Sequence, residues 1–206
     1  MEHFNLIGFL TSMFVLIISI TAHEFAHAKM ADLSGDPTPR RAGRISLNPI
    51  DHLDPLGTIM MVVTSITGIG IGWAKPVPVN PWNFRRPRLD NIKVSLAGPA
   101  SNLTLAFVFA MLIRLGSENA ALFRLMDRFV LINIALAIFN LLPIAPLDGS
   151  HIASGLLPPK IARRYDSFMS AYGPLIFIGL VLLVPGLLSL LLWPPVFFIY
   201  NLFIGR

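Results

Sequence analysis

Charge is distributed along this chain in a way that leaves few folds open. Residues 4–22, 94–113 and 129–142 contain no Asp, Glu, Lys or Arg, and residues 167–205 run on without one. A run of about 20 apolar residues is what a helix needs to cross a hydrocarbon core at about 1.5 Å per residue. Only 13% of the residues are charged, about half of what a soluble domain of this size carries, and the mean hydropathy is +0.69. The pattern excludes a soluble globular domain and predicts an all-α polytopic membrane protein. It is expected to form a bundle of about four to six transmembrane helices in a single domain over residues 1–206, with no separate soluble domain.

The segments between the apolar runs set the outline. Residues 4–22 read as the first span, and nothing breaks that helix before Ser34 and Gly35; residues 1–5 lack the basic start and small-residue cleavage site of a secretory signal, so this run is expected to stay. Residues 36–55 hold Pro37, Pro39 and Pro49 among several arginines and aspartates, a proline spacing that predicts a loop. Residues 56–74 are apolar but interrupted by Gly68, Gly70 and Gly72, and Pro76, Pro78 and Pro81 keep the next stretch of chain extended. A re-entrant segment between the first and second full spans fits this better than a crossing, because irregular backbone at membrane depth needs protein or a wet cavity to satisfy it. Residues 117–127 read as a short link between two spans, and Lys160, Arg163 and Arg164 as a basic loop. Residues 167–205, interrupted at Pro185 and again at Pro194 and Pro195, read as two membrane segments or one span and an interfacial tail.

A net charge of +5 invites a nucleic-acid reading, but no basic helix, aromatic platform or known module accompanies it. In a membrane protein, basic loops report orientation. Placing the loops around Arg40 to Arg44, Lys75 to Lys93 and Lys160 to Arg164 in the cytoplasm satisfies that rule, and it requires residues 56–74 to begin and end on the same side. The chain has no cysteine, so a metal site here must be built from His, Asp or Glu.

At the inner end of the first span stands His23-Glu24-Phe25-Ala26-His27. Residues four apart on a helix share a face, so both imidazoles reach one metal while Glu24 sits beside it to act on water. With 5 His and 3 Glu in 206 residues, chance gives this pattern roughly 0.002 times per chain. Ionisable side chains at this depth cost a few kcal/mol without partners and are functional by default. Zinc in a catalytic site takes three protein ligands and a water, so a carboxylate must come from elsewhere. Asp148, after the span that ends near Asn140, arrives at the same membrane face, although Pro-Leu-Asp-Gly is also an ordinary turn.

With these motifs in order, the chain resembles the site-2 protease family of intramembrane zinc metalloproteases. That family pairs H-E-x-x-H with N-x-x-P-x-x-x-L-D-G, here Asn140, Pro143, Leu147, Asp148 and Gly149. Ala97-Gly98-Pro99-Ala100-Ser101-Asn102 looks like its third core span, and Leu47-Asn48-Pro49 with Gly72-Trp73-Ala74-Lys75-Pro76 like its compact prokaryotic branch. The resemblance implies that His23, His27 and Asp148 bind one Zn2+ per chain and that Glu24 is the catalytic general base. It also implies an endopeptidase of the cell membrane that hydrolyses peptide bonds within or near transmembrane segments of other membrane proteins in the bilayer, and the basic loops put its active site near the cytoplasmic face. The extended run after residue 74 offers an edge for an unwound substrate.

Other polar residues read less sharply. Asn140 either orients substrate or caps the broken end of its span. His52 is a candidate substrate-binding or oxyanion group, or else a solvated loop histidine; His151 reads as a turn residue, and Gly98 and Asn102 as packing and interhelical hydrogen-bonding positions. The competing class is a membrane metal-binding or transport protein without proteolysis; such a site needs no general base beside its ligands and usually comes with repeated halves.

The orientation is testable because the chain offers no background thiol. On intact cells an impermeant thiol reagent should label Ser117→Cys and spare cysteines placed at Arg41, Arg86 and Arg163; the opposite labelling would invert the topology.

Overall fold

The computed structural model describes residues 5–67, 72–116 and 119–205. Glu2, Gly68, Gly70, Ser117 and Glu118 lie outside these ranges. Helix α1 (Leu6–Leu33) begins where the Asn5 side chain accepts a hydrogen bond from the Gly8 N–H. It runs for 28 residues, about 42 Å, and ends at Ser34. Gly35 then adopts φ +108°, with the Asn83 carbonyl 3.1 Å from where a Cβ would lie, so only glycine fits this turn. A short helix α2 (Thr38–Arg41) and a 3-10 turn at Pro49–Asp51 follow within the expected loop.

Helix α3 (Pro55–Thr67) has 13 residues, about 20 Å, which is short of a full crossing. The chain then returns to where it left. Leu53 bridges Ala74, the Lys75 N–H donates to the His52 carbonyl at 2.8 Å, and the Trp73 carbonyl lies 2.1 Å from the position of a Gly57 Cβ. Glycine at 57 is therefore what lets the returning limb close on the first turn of α3.

Helix α4 (Pro87–Arg114) starts on a proline at its first turn, with the Arg86 N–H donating to Asp90. It packs against α1 and against α5 (Ala120–Asn140). Ala106 and Ala110 of α4, Val130 and Ile134 of α5, and Val196 of α8 (Pro185–Ile204) form a fully buried cluster in which the small alanines allow close helix approach. Among the described residues four helices, α1, α4, α7 (Pro159–Leu182) and α8, are long and apolar enough to cross a membrane. Helix α5 matches them in length but carries Arg124, Asp127 and Arg128 in its first half. Two of these charges turn inward: Arg128 donates to the Gly8 carbonyl and the Ser12 hydroxyl, and Asp127 accepts from Tyr200.

The structure corrects two of the expectations and decides two readings that the sequence leaves open. Residues 120–127 are the start of α5 rather than part of a link, because Asn119 caps it by accepting from Ala121 and Leu122. Lys160, Arg163 and Arg164 lie in the first turns of α7, which Pro159 opens, and of the two readings of residues 167–205 the structure bears out two helical segments, α7 and α8. Asp148 does not sit in a plain turn; it begins a separate helix, α6 (Asp148–Leu156), packed against α4 and α7.

The run 75–80 is fastened at both ends. At one end the buried Arg44 guanidinium donates to the Lys75 carbonyl at 2.5 Å and the Pro76 carbonyl at 3.0 Å. At the other, the Asp36 carboxylate accepts from the Asn80 N–H at 2.7 Å, the Asn83 amide at 2.8 Å, and the Thr38 hydroxyl and N–H. Burial pushes the Asp36 pKa up, but these hydrogen bonds outweigh it and hold the carboxyl below its ordinary value. Asp36→Ala should accelerate hydrogen exchange at the Asn80 amide about tenfold or more. In the unmodified protein the folded-state pKa is depressed, so this protection should hold through neutral pH and fall only on acidification below the ordinary carboxylate range; exchange at Asn80 that ignores both changes would disprove the clamp.

Candidate metal centre

His23 and His27 are one turn apart on α1, and both rings are buried against α4. The His23 Nδ1–H donates to Asn102 Oδ1 at 2.6 Å, and the His27 Nδ1–H donates to the Val94 carbonyl at 2.7 Å. Both acceptors are oxygens that cannot donate, so each ring in its neutral form carries its proton on Nδ1 and its lone pair on Nε2. The two Nε2 atoms lie 3.0 Å apart, and Asp148 Oδ2 lies 3.2 Å from each. That carboxylate oxygen is buried and has no hydrogen-bond partner among the described residues.

Three electron-pair donors at this spacing repel one another unless a cation lies among them. Donors around one zinc ion, at bond lengths of about 2.0 Å, sit about 3.3 Å apart in a tetrahedron. The residues present therefore fit a zinc ion in donor type, in protonation and in spacing. The Nδ1 contacts are the outer partners that fix ring orientation in metal sites of this kind.

The surrounding backbone makes room for this convergence. A Cβ on Gly98 would stand 2.4 Å from His27 Nε2 and 2.5 Å from His23 Cε1, so α4 can lie against the two rings only with glycine there. Likewise a Cβ on Gly149 would stand 2.2 Å from the Leu141 carbonyl, so glycine after Asp148 lets α6 fold back on the broken end of α5.

Two cavities meet at His23, Glu24, Pro76, Asn140 and Pro146. One, of about 520 Å³, is apolar and opens between Ile20, Trp73, Leu136, Phe139, Phe177 and Ile178. The other, of about 360 Å³, is polar, and Val77, Val79, Asn91, Ser95, Asp148 and His151 line it. Glu24 has no hydrogen bond or ion pair among the described residues and faces both. Asn140 donates to the Leu136 carbonyl at 3.0 Å and lines both.

His52 lines neither cavity. It is fully buried, contrary to the solvated-loop reading. Its Nε2–H donates to the Ser46 carbonyl at 2.7 Å, and its Nδ1 stands 3.5 Å from Arg44, behind the fastened run.

The chain matches the family model described as Peptidase family M50 over residues 115–184. It is 46% identical over 188 residues to YwhC of Bacillus subtilis (strain 168), covering 87% of this chain and 82% of that one. The chain belongs to the site-2 protease family. The chain is also similar to Rip2 of Mycolicibacterium smegmatis, 33% identical over 73% of this chain and 61% of that one, and to MJ0611 of Methanocaldococcus jannaschii, 30% identical over 73% and 72%. All three bear the name "Putative zinc metalloprotease". No solved structure matches the chain. As a site-2 protease family member with four apolar helices of spanning length, it is a multi-pass membrane metalloprotease.

Sequence reasoning missed the polar network behind the histidines. Asn102 also donates to the Asn133 side chain at 2.8 Å, and Asn133 donates to the Ser19 hydroxyl at 2.8 Å, all three residues being fully buried. The available signal was an Asn within each of two uncharged runs, Asn102 in residues 94–113 and Asn133 in residues 129–142, of which only Asn102 was singled out. In this network Asn102→Leu keeps the branched shape but removes the acceptor, and should weaken zinc binding about 10- to 100-fold. Gly98→Val should abolish it. Chelator competition with metal analysis reads both, and native affinity in either variant would break the link between α4 and the rings.

Proposed function

We propose that this protein is an intramembrane zinc endopeptidase that cuts membrane proteins within or near their transmembrane segments, as in regulated intramembrane proteolysis. The observation that carries the reading is the convergence of His23 Nε2, His27 Nε2 and the partnerless Asp148 Oδ2 beside the unpaired Glu24 carboxylate. His23, His27 and Asp148 would hold one zinc ion per chain. Bound there, zinc supplies Lewis acidity that activates water and stabilises charge on the scissile carbonyl oxygen. Glu24 takes the proton from the attacking water and returns it to the leaving amine.

The two cavities support a route for the substrate. The apolar one suits a transmembrane segment arriving sideways from lipid, and the polar one suits the unwound part, whose exposed amides need partners. Val77 and Val79 line that polar cavity, and neither makes a hydrogen bond among the described residues, so their N–H and C=O groups are open to an added strand. The adjacency of Leu53 and Ala74 at the two ends of α3 and its return supports a re-entrant excursion that begins and ends on one membrane face. The basic residues near Arg40, Arg85 and Arg163 favour the cytoplasmic face of the cell membrane for that side.

Glu24→Gln should lower cleavage of a transmembrane model peptide at least 100-fold while one zinc per chain remains. Asp148→Ala should lower zinc content and cleavage together. Near-native cleavage by Glu24→Gln, or full zinc in Asp148→Ala, would overturn these roles.

A further inference from the structure

The active-site side of α4 is one continuous face. Asn91, Ser95, Gly98 and Asn102 follow at intervals of four, three and four residues, which keeps them on one side of a helix. The inner part of that face is accounted for: Asn102 orients His23, and Gly98 lies under both rings. The outer part is not. Ser95 is only 4% exposed, lines the polar cavity, and makes no hydrogen bond through its side chain among the described residues. Asn91, half-buried one turn further out, lines the same cavity and is equally without a partner. Pro99 has no N–H to offer the Ser95 carbonyl four residues earlier, so that group also lacks its usual helical donor.

An extended substrate has two backbone edges. Resting on the strand reading above, one edge pairs with Val77 and Val79; the other would be left with bare amides and carbonyls beside a hydrocarbon layer, at a cost per group that folded chains avoid. We propose that Ser95 and Asn91 form the second wall of the substrate site and hydrogen-bond the backbone edge that faces away from the strand. The spacing fits the task. Positions four apart on a helix lie about 6 Å apart along its axis, and alternate residues of an extended chain lie about 6.7 Å apart, so the two side chains meet backbone groups two residues apart. Such contacts read no side chain of the substrate, which suits an enzyme whose target is an unwound backbone.

The test uses the full-length protein with Glu24→Gln, which retains the metal site and does not consume its ligand. A fluorescent synthetic transmembrane peptide in nanodiscs is the probe, and zinc content is checked throughout. Ser95→Ala and Asn91→Ala should each raise the Kd of the peptide about three- to tenfold, with zinc unchanged. In the enzyme with Glu24 intact the same changes should raise KM and leave kcat nearly as it was, since they act on binding. Peptides in which one amide at a time is replaced by an ester should locate the contact. One ester position should weaken binding to the Glu24→Gln protein and have no further effect once the matching side chain is alanine. Kd values within twofold in both single variants and the double variant would overturn the proposal, as would ester effects that simply add to those of the alanines. Failure of the Glu24→Gln protein to bind the peptide at all would instead overturn the protease reading on which the proposal stands.

Discussion

Both Nδ1 protons of the paired histidines are committed to α4, one to the Asn102 side chain and one to the Val94 carbonyl. Much of the molecule is arranged so that this can happen. The rings must lie within hydrogen-bonding distance of the α4 backbone, which requires glycine at 98 and close packing of α1 on α4. With their protons so placed, the rings can offer lone pairs only from Nε2, and among the described residues the negative charge brought to those atoms is Asp148. The ladder from Asn102 through Asn133 to Ser19 then ties α4, α5 and α1 together by bonds that lipid cannot replace. Tautomer choice and helix packing are thus one constraint seen from two sides.

The parts of this arrangement that were legible in the sequence follow from helical periodicity. His23, Glu24 and His27 share a face because of their spacing alone, and the uninterrupted run before them fixes the helix that carries them. Asp148 was visible through its motif and its side of the membrane, but its place at the head of a separate helix was not, because Pro143, Pro146 and Gly149 read equally well as a turn. Asn102 could be found as a polar residue in an apolar run; its partner could not, since that depends on which face of α4 meets α1. His52 shows the opposite limit. Its neighbours are those of a wet loop, and its complete burial comes from Arg44 and the returning limb, residues that local sequence does not bring near it.

The fastening of residues 75–80 shows how a segment without regular structure can be rigid. Arg44 occupies the carbonyls at one end and Asp36 the amide at the other, while the middle is left unpaired. A free edge of this sort invites unwanted pairing. Here the invitation is narrow, because Pro76 and Pro78 have no N–H and only alternate residues donate.

That alternation has a consequence for the products. A chain lying along this edge finds the donors of Val77 and Val79 only at every second residue, and a slip of one residue would turn its side chains to the opposite wall. A slip of two restores the same contacts. If the edge guides the substrate, heterogeneous cuts in one target should yield fragments whose lengths differ by pairs of residues, and the alternating prolines act as a ruler marked in steps of two.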